Sequence, residues 1–165
     1  MTDGQFQDAR IVVGVDGSPG SKAALHWAMV QATLTGAAIE AVAAWQDATA
    51  HGHVAGWPPD AGTGYNSAAA ATRKALDETV AEVARGLPQP VDVFARVSRG
   101  PAATMLLESA SDAAMLVIGA RRNCRPDGRV PLGEVAQQCV DEAICPVVVV
   151  RGYPSTSHGT TEDAP

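Results

Sequence analysis

Two unbroken apolar runs, Arg10–Asp16 (RIVVGVD) and Met115–Gly119 (MLVIG), constrain this chain more than any other feature. A strand with one wet face alternates apolar and polar residues. These runs do not alternate, so both faces need cover, as in the middle of a parallel sheet. The neighbouring segments supply it. Ser18 is a good N-cap and Pro19 suits a first helical position, so a helix is predicted to run to Thr35, where Gly36 is placed to stop it. Ala38–Trp45 reads as a second strand. Ser67–Leu87 reads as a helix with Leu76, Val80, Val83 and Leu87 on one stripe, closed by Pro88 and Pro90. Val91–Val97 is a third strand. After Gly100-Pro101 comes a short helix carrying Ala103, Leu106, Leu107 and Ala110, then the strand Met115–Gly119. A last helix begins at Gly133 or Glu134, with Val135, Cys139, Val140 and Ala143 as its apolar face, and Pro146–Val150 is the fifth strand. Strict β-α alternation implies a single doubly wound α/β domain: a parallel sheet, right-handed crossovers, helices on both faces. Residues 1–9 read as a disordered lead-in, 10–151 as the domain and 152–165 as a disordered tail.

Composition narrows the partners. The chain of 165 residues carries a formal net charge of -6, which argues against nucleic acid or an anionic membrane as partner. No apolar run approaches the roughly 20 residues of a membrane span, and the polar start MTDGQFQDAR lacks the apolar core of a signal peptide. Cys124, Cys139 and Cys145 form neither a disulfide framework nor a zinc pattern, so a reducing cytoplasm is expected. His51 and His53, near Asp47 and Asp60, sit in the Gly-rich stretch Gln46–Gly64 and read as a solvated loop rather than a metal site. Trp45 and Trp57 read either as cover for a base or as anchors for that loop. Cys124 reads as an exposed thiol and Cys139 as core.

In open parallel sheets, ligands bind beyond the carboxyl ends of the strands, where strand order reverses. Gly14-Val15-Asp16-Gly17-Ser18 ends the first strand and Ile118-Gly119 the fourth. If the two are neighbours, Asp16 and Gly119 face one crevice, with the last helix starting beside it. A helix N-terminus favours anions.

The segments IVVGVDGSPGSKAALHWA, GAAIEAVAAW, SRGPAATMLLESASDAAMLVIGA and VAQQCVDEAICPVVVVR, in that order, resemble the universal stress protein family from about Arg10 to Arg151. The resemblance implies a Rossmann-like five-stranded sheet of order 3-2-1-4-5 and homodimers paired through the fifth strand, here Pro146–Val150. It also implies an adenine-nucleotide site. ATP-binding members carry a glycine, two residues, a second glycine, nine residues, and a third glycine followed by Ser or Thr, a loop whose amides approach phosphates. Gly119 matches the first glycine, but Arg122 stands at the second. Ten residues, Asn123–Leu132, then precede Gly133, and Glu134 follows it instead of a hydroxyl. A carboxylate in place of that hydroxyl repels a phosphate by on the order of a few kcal/mol at an effective dielectric near 20.

Three readings of Glu134 stay open: it fills the anion site from within, it points to solvent and favours the helix dipole, or it pairs with Arg122. Arg121, Arg122, Arg125 and Arg129 crowd one loop and offer forks that bind phosphate, or are simply solvated. By resemblance, Val15 and Asp16 lie at the nucleotide or its metal, and Ala43 and Ala44 match the adenine contact. Asp16 also suits a plain turn before Gly17. The expectation is a stress-associated binding protein, not an enzyme and without a resident metal, whose degenerate site binds ATP weakly or not at all. The alternative is a true binder of ATP with magnesium, AMP or cyclic AMP through Asp16, Gly119 and the arginines, with slow ATP hydrolysis. A hydrolase working through the long loop lacks a nucleophile–base pair.

Overall fold

The computed structural model describes residues 9–46, 65–120 and 131–152. Its elements alternate as expected: β1 (Arg10–Gly14), α1 (Pro19–Thr35), β2 (Ala38–Trp45), α2 (Tyr65–Ala84), β3 (Val93–Arg99), α3 (Ala102–Ser109), β4 (Met115–Gly119), α4 (Glu134–Glu142) and β5 (Val147–Val150). All strand pairs are parallel and the order is β3-β2-β1-β4-β5, so the sheet reverses between β1 and β4.

Side chains divide by strand parity. Ile11, Val13 and Val15 of β1 and its continuation, with Ile39, Ala41, Ala43 and Val117, face Leu25, Ala28, Met29 and Leu76 in the α1–α2 layer. Val12, Val42, Leu116 and Ile118 face Ala103, Leu106, Ala136 and Cys139 in the α3–α4 layer. The three central strands are covered on both sides, which is why their sequences do not alternate. Burial, then Glu142 and Cys145, push the Cys139 thiol up to about 11, which suits an inert core cysteine.

The capping signals act as read. The Ser18 side chain accepts from the Ser21 amide, Pro19 opens α1, and Gly36 closes it in the left-handed conformation at φ 75°. Along α1 the sheet-facing positions Gly20, Ala24, Ala28 and Ala32 are all small and buried, so the helix axis can approach the strands closely.

Five elements depart from the sequence reading. The first strand is Arg10–Gly14 rather than Arg10–Asp16, because Asp16 is already drawn into the turn by its hydrogen bonds with Ser18 and Ser21. The second helix is Tyr65–Ala84 rather than Ser67–Leu87, because the Arg85 and Gly86 amides bond back to Ala81 and Val83 in a tightening turn. The third strand is Val93–Arg99 rather than Val91–Val97, because it keeps pairing as far as β2 extends, Trp45 against Arg99. The fifth strand starts at Val147, although the Pro146 carbonyl still accepts from Leu116. On α4 the buried residues are Ala136 and Cys139, whereas Val135 and Val140 flank them in solvent.

One polar cluster sits on the α3 side of the sheet. Glu40, with a side chain only 9% exposed, lies 2.7 Å from Arg10 Nη1 and 3.1 Å from Arg96 Nη1. Arg10 also donates to Asp112 and to the Ser109 carbonyl. The cluster links β3, β2 and β1 to the end of α3.

Candidate functional site

The crevice follows from strands of unequal reach. β1 ends at Gly14, opposite Val42, while β2 runs on to Trp45. On the other side Val13 pairs with Val117, and β4 runs on to Gly119. A gap of two strand spacings, about 10 Å, opens above the end of β1. The Val15 amide takes the Val42 carbonyl at 2.9 Å, and the Gly100 amide takes the Trp45 carbonyl on the β3 side. Backbone groups along a strand point to alternate sides, so the Ala44 amide and carbonyl turn toward β1 above its last rung. They offer one donor and one acceptor to whatever enters.

Asp16 forms the near wall. It is exposed, and its Oδ1 accepts the Ser18 amide at 3.0 Å. The Asp16 amide donates to Ser21 Oγ at 3.3 Å, and that hydroxyl donates to the Ser18 carbonyl. This network holds the turn between β1 and α1, so the carboxylate is fixed at the α1 N-terminus. One carboxylate oxygen is used by the turn. The other suits a magnesium ion carried on nucleotide phosphates, since that ion takes one or two carboxylates and keeps several waters.

Gly133 is the N-cap of α4 and offers no side-chain cap, and Glu134 is the first helical residue. Both lie at the carboxyl edge of the sheet, because α4 runs back from β4 to start the parallel strand β5. Glu134 is exposed, and among the described residues it has no ion-pair partner. An acidic side chain in a first turn favours the helix by roughly 0.3–1 kcal/mol.

The other sequence candidates divide. Val15 and Ala43 turn their side chains into the α1–α2 core and can meet a ligand only through their backbone. Ala44 is half-buried at the crevice. Gly119 bounds the gap, and its bare Cα is packed against α1: a Cβ there would overlap the Gly20 carbonyl and lie 2.6 Å from the Ser21 amide nitrogen. Arg121, Arg122, Arg125, Arg129 and Cys124 lie outside the described residues, as do residues 1–8 and 153–165 of the tails and the stretch 47–64 with His51, His53 and Trp57. Gly20 and Ser21 were not singled out from the sequence. The signal was a glycine and a serine inside the first turn of a helix where alanine would serve the helix better. Among the described residues no helix is long and apolar enough to cross a membrane, and no cluster of three His, Cys, Asp or Glu could hold a metal.

Comparison with known proteins identifies relatives of the whole domain and of its fold. A universal stress protein of Mycobacterium tuberculosis is 30% identical over 150 residues; the match covers 86% of this chain and 47% of that protein. The chain thus spans about half the length of that relative. Two solved structures share the fold. A universal stress protein from Archaeoglobus fulgidus in complex with dAMP has a TM-score of 0.62 at 20% identity, covering 86% of this chain and 97% of that one. A universal stress protein in complex with cAMP has a TM-score of 0.60 at 23% identity, covering 88% and 98%. The sequence pattern of the Universal stress protein family matches residues 9–151. On that match over nearly the whole described domain, the chain belongs to the universal stress protein family.

Proposed function

We propose that this chain is a stress-associated regulatory binding protein of the cytoplasm. Its crevice descends from an adenine-nucleotide site and has lost most of its grip on triphosphate. The observation that carries this reading is Glu134 as the exposed first residue of α4, behind the uncapped Gly133. There the family motif presents a hydroxyl to a phosphate, and here the chain presents a carboxylate. The rest of the crevice is better kept: Asp16 stays at its near wall, and the Ala44 backbone offers a donor and an acceptor above the end of β1. Relatives of the same fold bind dAMP and cAMP, which supports a second reading in which a nucleotide with a short phosphate chain is the true ligand. No turnover step is assigned to the crevice.

Titration calorimetry with ATP and magnesium, and separately with AMP, tests the proposal. Glu134→Ser is expected to bind ATP about ten-fold more tightly than wild type, a gain of about 1.4 kcal/mol. The AMP affinity should change less. Low-micromolar ATP binding by wild type would end the reading. If neither protein binds ATP, Glu134 is not the sufficient cause.

The proposal includes a homodimer through Pro146–Val150. The two edges of the sheet differ. β3 carries Arg96 and Arg99, which discourage edge pairing, whereas the described β5 is four half-buried valines next to Ile144, which is 83% exposed. The Val148 and Val150 backbones face β4, so the Val147 and Val149 amides point outward. Sedimentation at micromolar concentration is expected to give twice the 16.9 kDa chain mass. Val149→Pro removes an outward donor without touching the β4 ladder and is expected to give monomer. A wild-type monomer refutes the dimer.

A further inference from the structure

We infer that Gly20 is a positioning residue of the crevice: its bare Cα lets the first turn of α1 seat backbone-on-backbone against the end of β4. Gly20 is the second residue of α1 and is fully enclosed. Glycine is a poor helix former, so its presence there calls for a tertiary reason. The geometry supplies one. A Cβ on Gly20 would lie 2.5 Å from the Ala120 carbonyl oxygen, and a Cβ on Gly119 would overlap the Gly20 carbonyl. Both obstacles are main-chain atoms, which no rotamer change can move aside.

Ala120 is also anchored from the other direction, since its amide donates to the Val150 carbonyl at 2.8 Å. The end of β4 is therefore held between β5 and α1, and Gly20 sets the spacing on the α1 side. The same turn carries Ser18 and Ser21, whose hydrogen bonds fix Asp16. One contact thus sets the distance between the acidic wall of the crevice and the point where the chain leaves β4. A third glycine nearby shows the contrast. A Cβ on Gly152 would come no closer than 3.9 Å to Gly20 Cα, an ordinary contact.

The assignment rests on the nucleotide reading for its ligand readout only. Three variants are compared by calorimetry with AMP. Gly20→Ala is expected to lose at least about ten-fold in affinity, since an ångström of misplacement is enough for that. Gly152→Ala, beside the same turn without overlap, should stay within about two-fold. Gly36→Ala should also stay within about two-fold. It is strained by its left-handed φ and remote from the crevice, so it reports the effect of lost stability alone. Equal affinity for folded Gly20→Ala and Gly36→Ala overturns the assignment. Hydrogen exchange on the wild type covers the case in which Gly20→Ala does not fold: AMP should slow exchange of the Ser21 and Ala120 amides, and no change there overturns the assignment. If wild type binds no adenine nucleotide, the nucleotide reading falls. The Gly20 assignment is then decided by amide shifts. Gly20→Ala should move Asp16, Ser18 and Ala120 while Gly36→Ala leaves them in place, and unmoved signals overturn it.

Discussion

Gly119→Ala is expected to lower the melting temperature by on the order of 10 °C. The added methyl would meet the Gly20 carbonyl and the Ser21 nitrogen. Overpacking a well-filled site costs about 1–3 kcal/mol and sometimes more, and main-chain obstacles put this case at the top of that range. In a chain of this size, 1 kcal/mol corresponds to roughly 2–4 °C. Relief requires α1 to lift, which would disturb Ala24, Ala28 and Ala32 below it, or β4 to shift against β5. Gly152→Ala is the internal control and should change the melting temperature by no more than about 2 °C. A calorimetric scan in which Gly119→Ala also stays within about 2 °C would show that the contact yields. The first glycine of the phosphate-loop pattern thus has a packing reason to persist, whatever the crevice binds. Its presence therefore does not weigh against the proposed weak grip on triphosphate.

Glu40→Ala is expected to cost about 3 kcal/mol in urea unfolding. Removing one partner of a buried ion cluster costs roughly 3–5 kcal/mol, because the remaining charges lose their counter-ion. Two features hold this case at the lower end. The Arg96 side chain is half exposed and can turn to water, and Arg10 keeps Asp112 and the Ser109 carbonyl. Glu40→Gln keeps a hydrogen-bond acceptor and should cost about half as much. Arg96→Ala, at the wet end, should cost less than about 1 kcal/mol. A Glu40→Ala loss below about 1 kcal/mol would mean that the cluster is solvated.

What could be read from the sequence depended on the range of the forces involved. The caps at Ser18, Pro19 and Gly36 are local chemistry and were legible to the residue. The runs of β1, β2 and β4 were legible because burial on both faces leaves no room for polar residues, Glu40 excepted. β3 was not bounded correctly, since its polar end, Ser98-Arg99, is drawn into the sheet by β2, a partner remote in sequence. The α4 face was drawn from large residues, Val135 and Val140, when the close-packed position is Ala136. The crevice was legible in outline from Asp16 and Gly119. Its framing was not: the Arg10–Glu40–Arg96 cluster joins residues 56 positions apart at its widest link, and the Gly20–Gly119 contact joins residues from the first and fourth strand-helix units. Neither leaves a periodic trace.

The seam of Gly20, Ala24, Ala28 and Ala32 has a mechanical consequence. A helix seated on such small side chains lies close on the strands, so sliding or tilting α1 would give up packed contacts along its whole length. The opposite layer is built otherwise. There α3 and α4 are short, and the Val135 and Val140 flanks of α4 are still wet. One side of the sheet is therefore seated tightly along a long helix, and the other is covered by short helices with wet flanks.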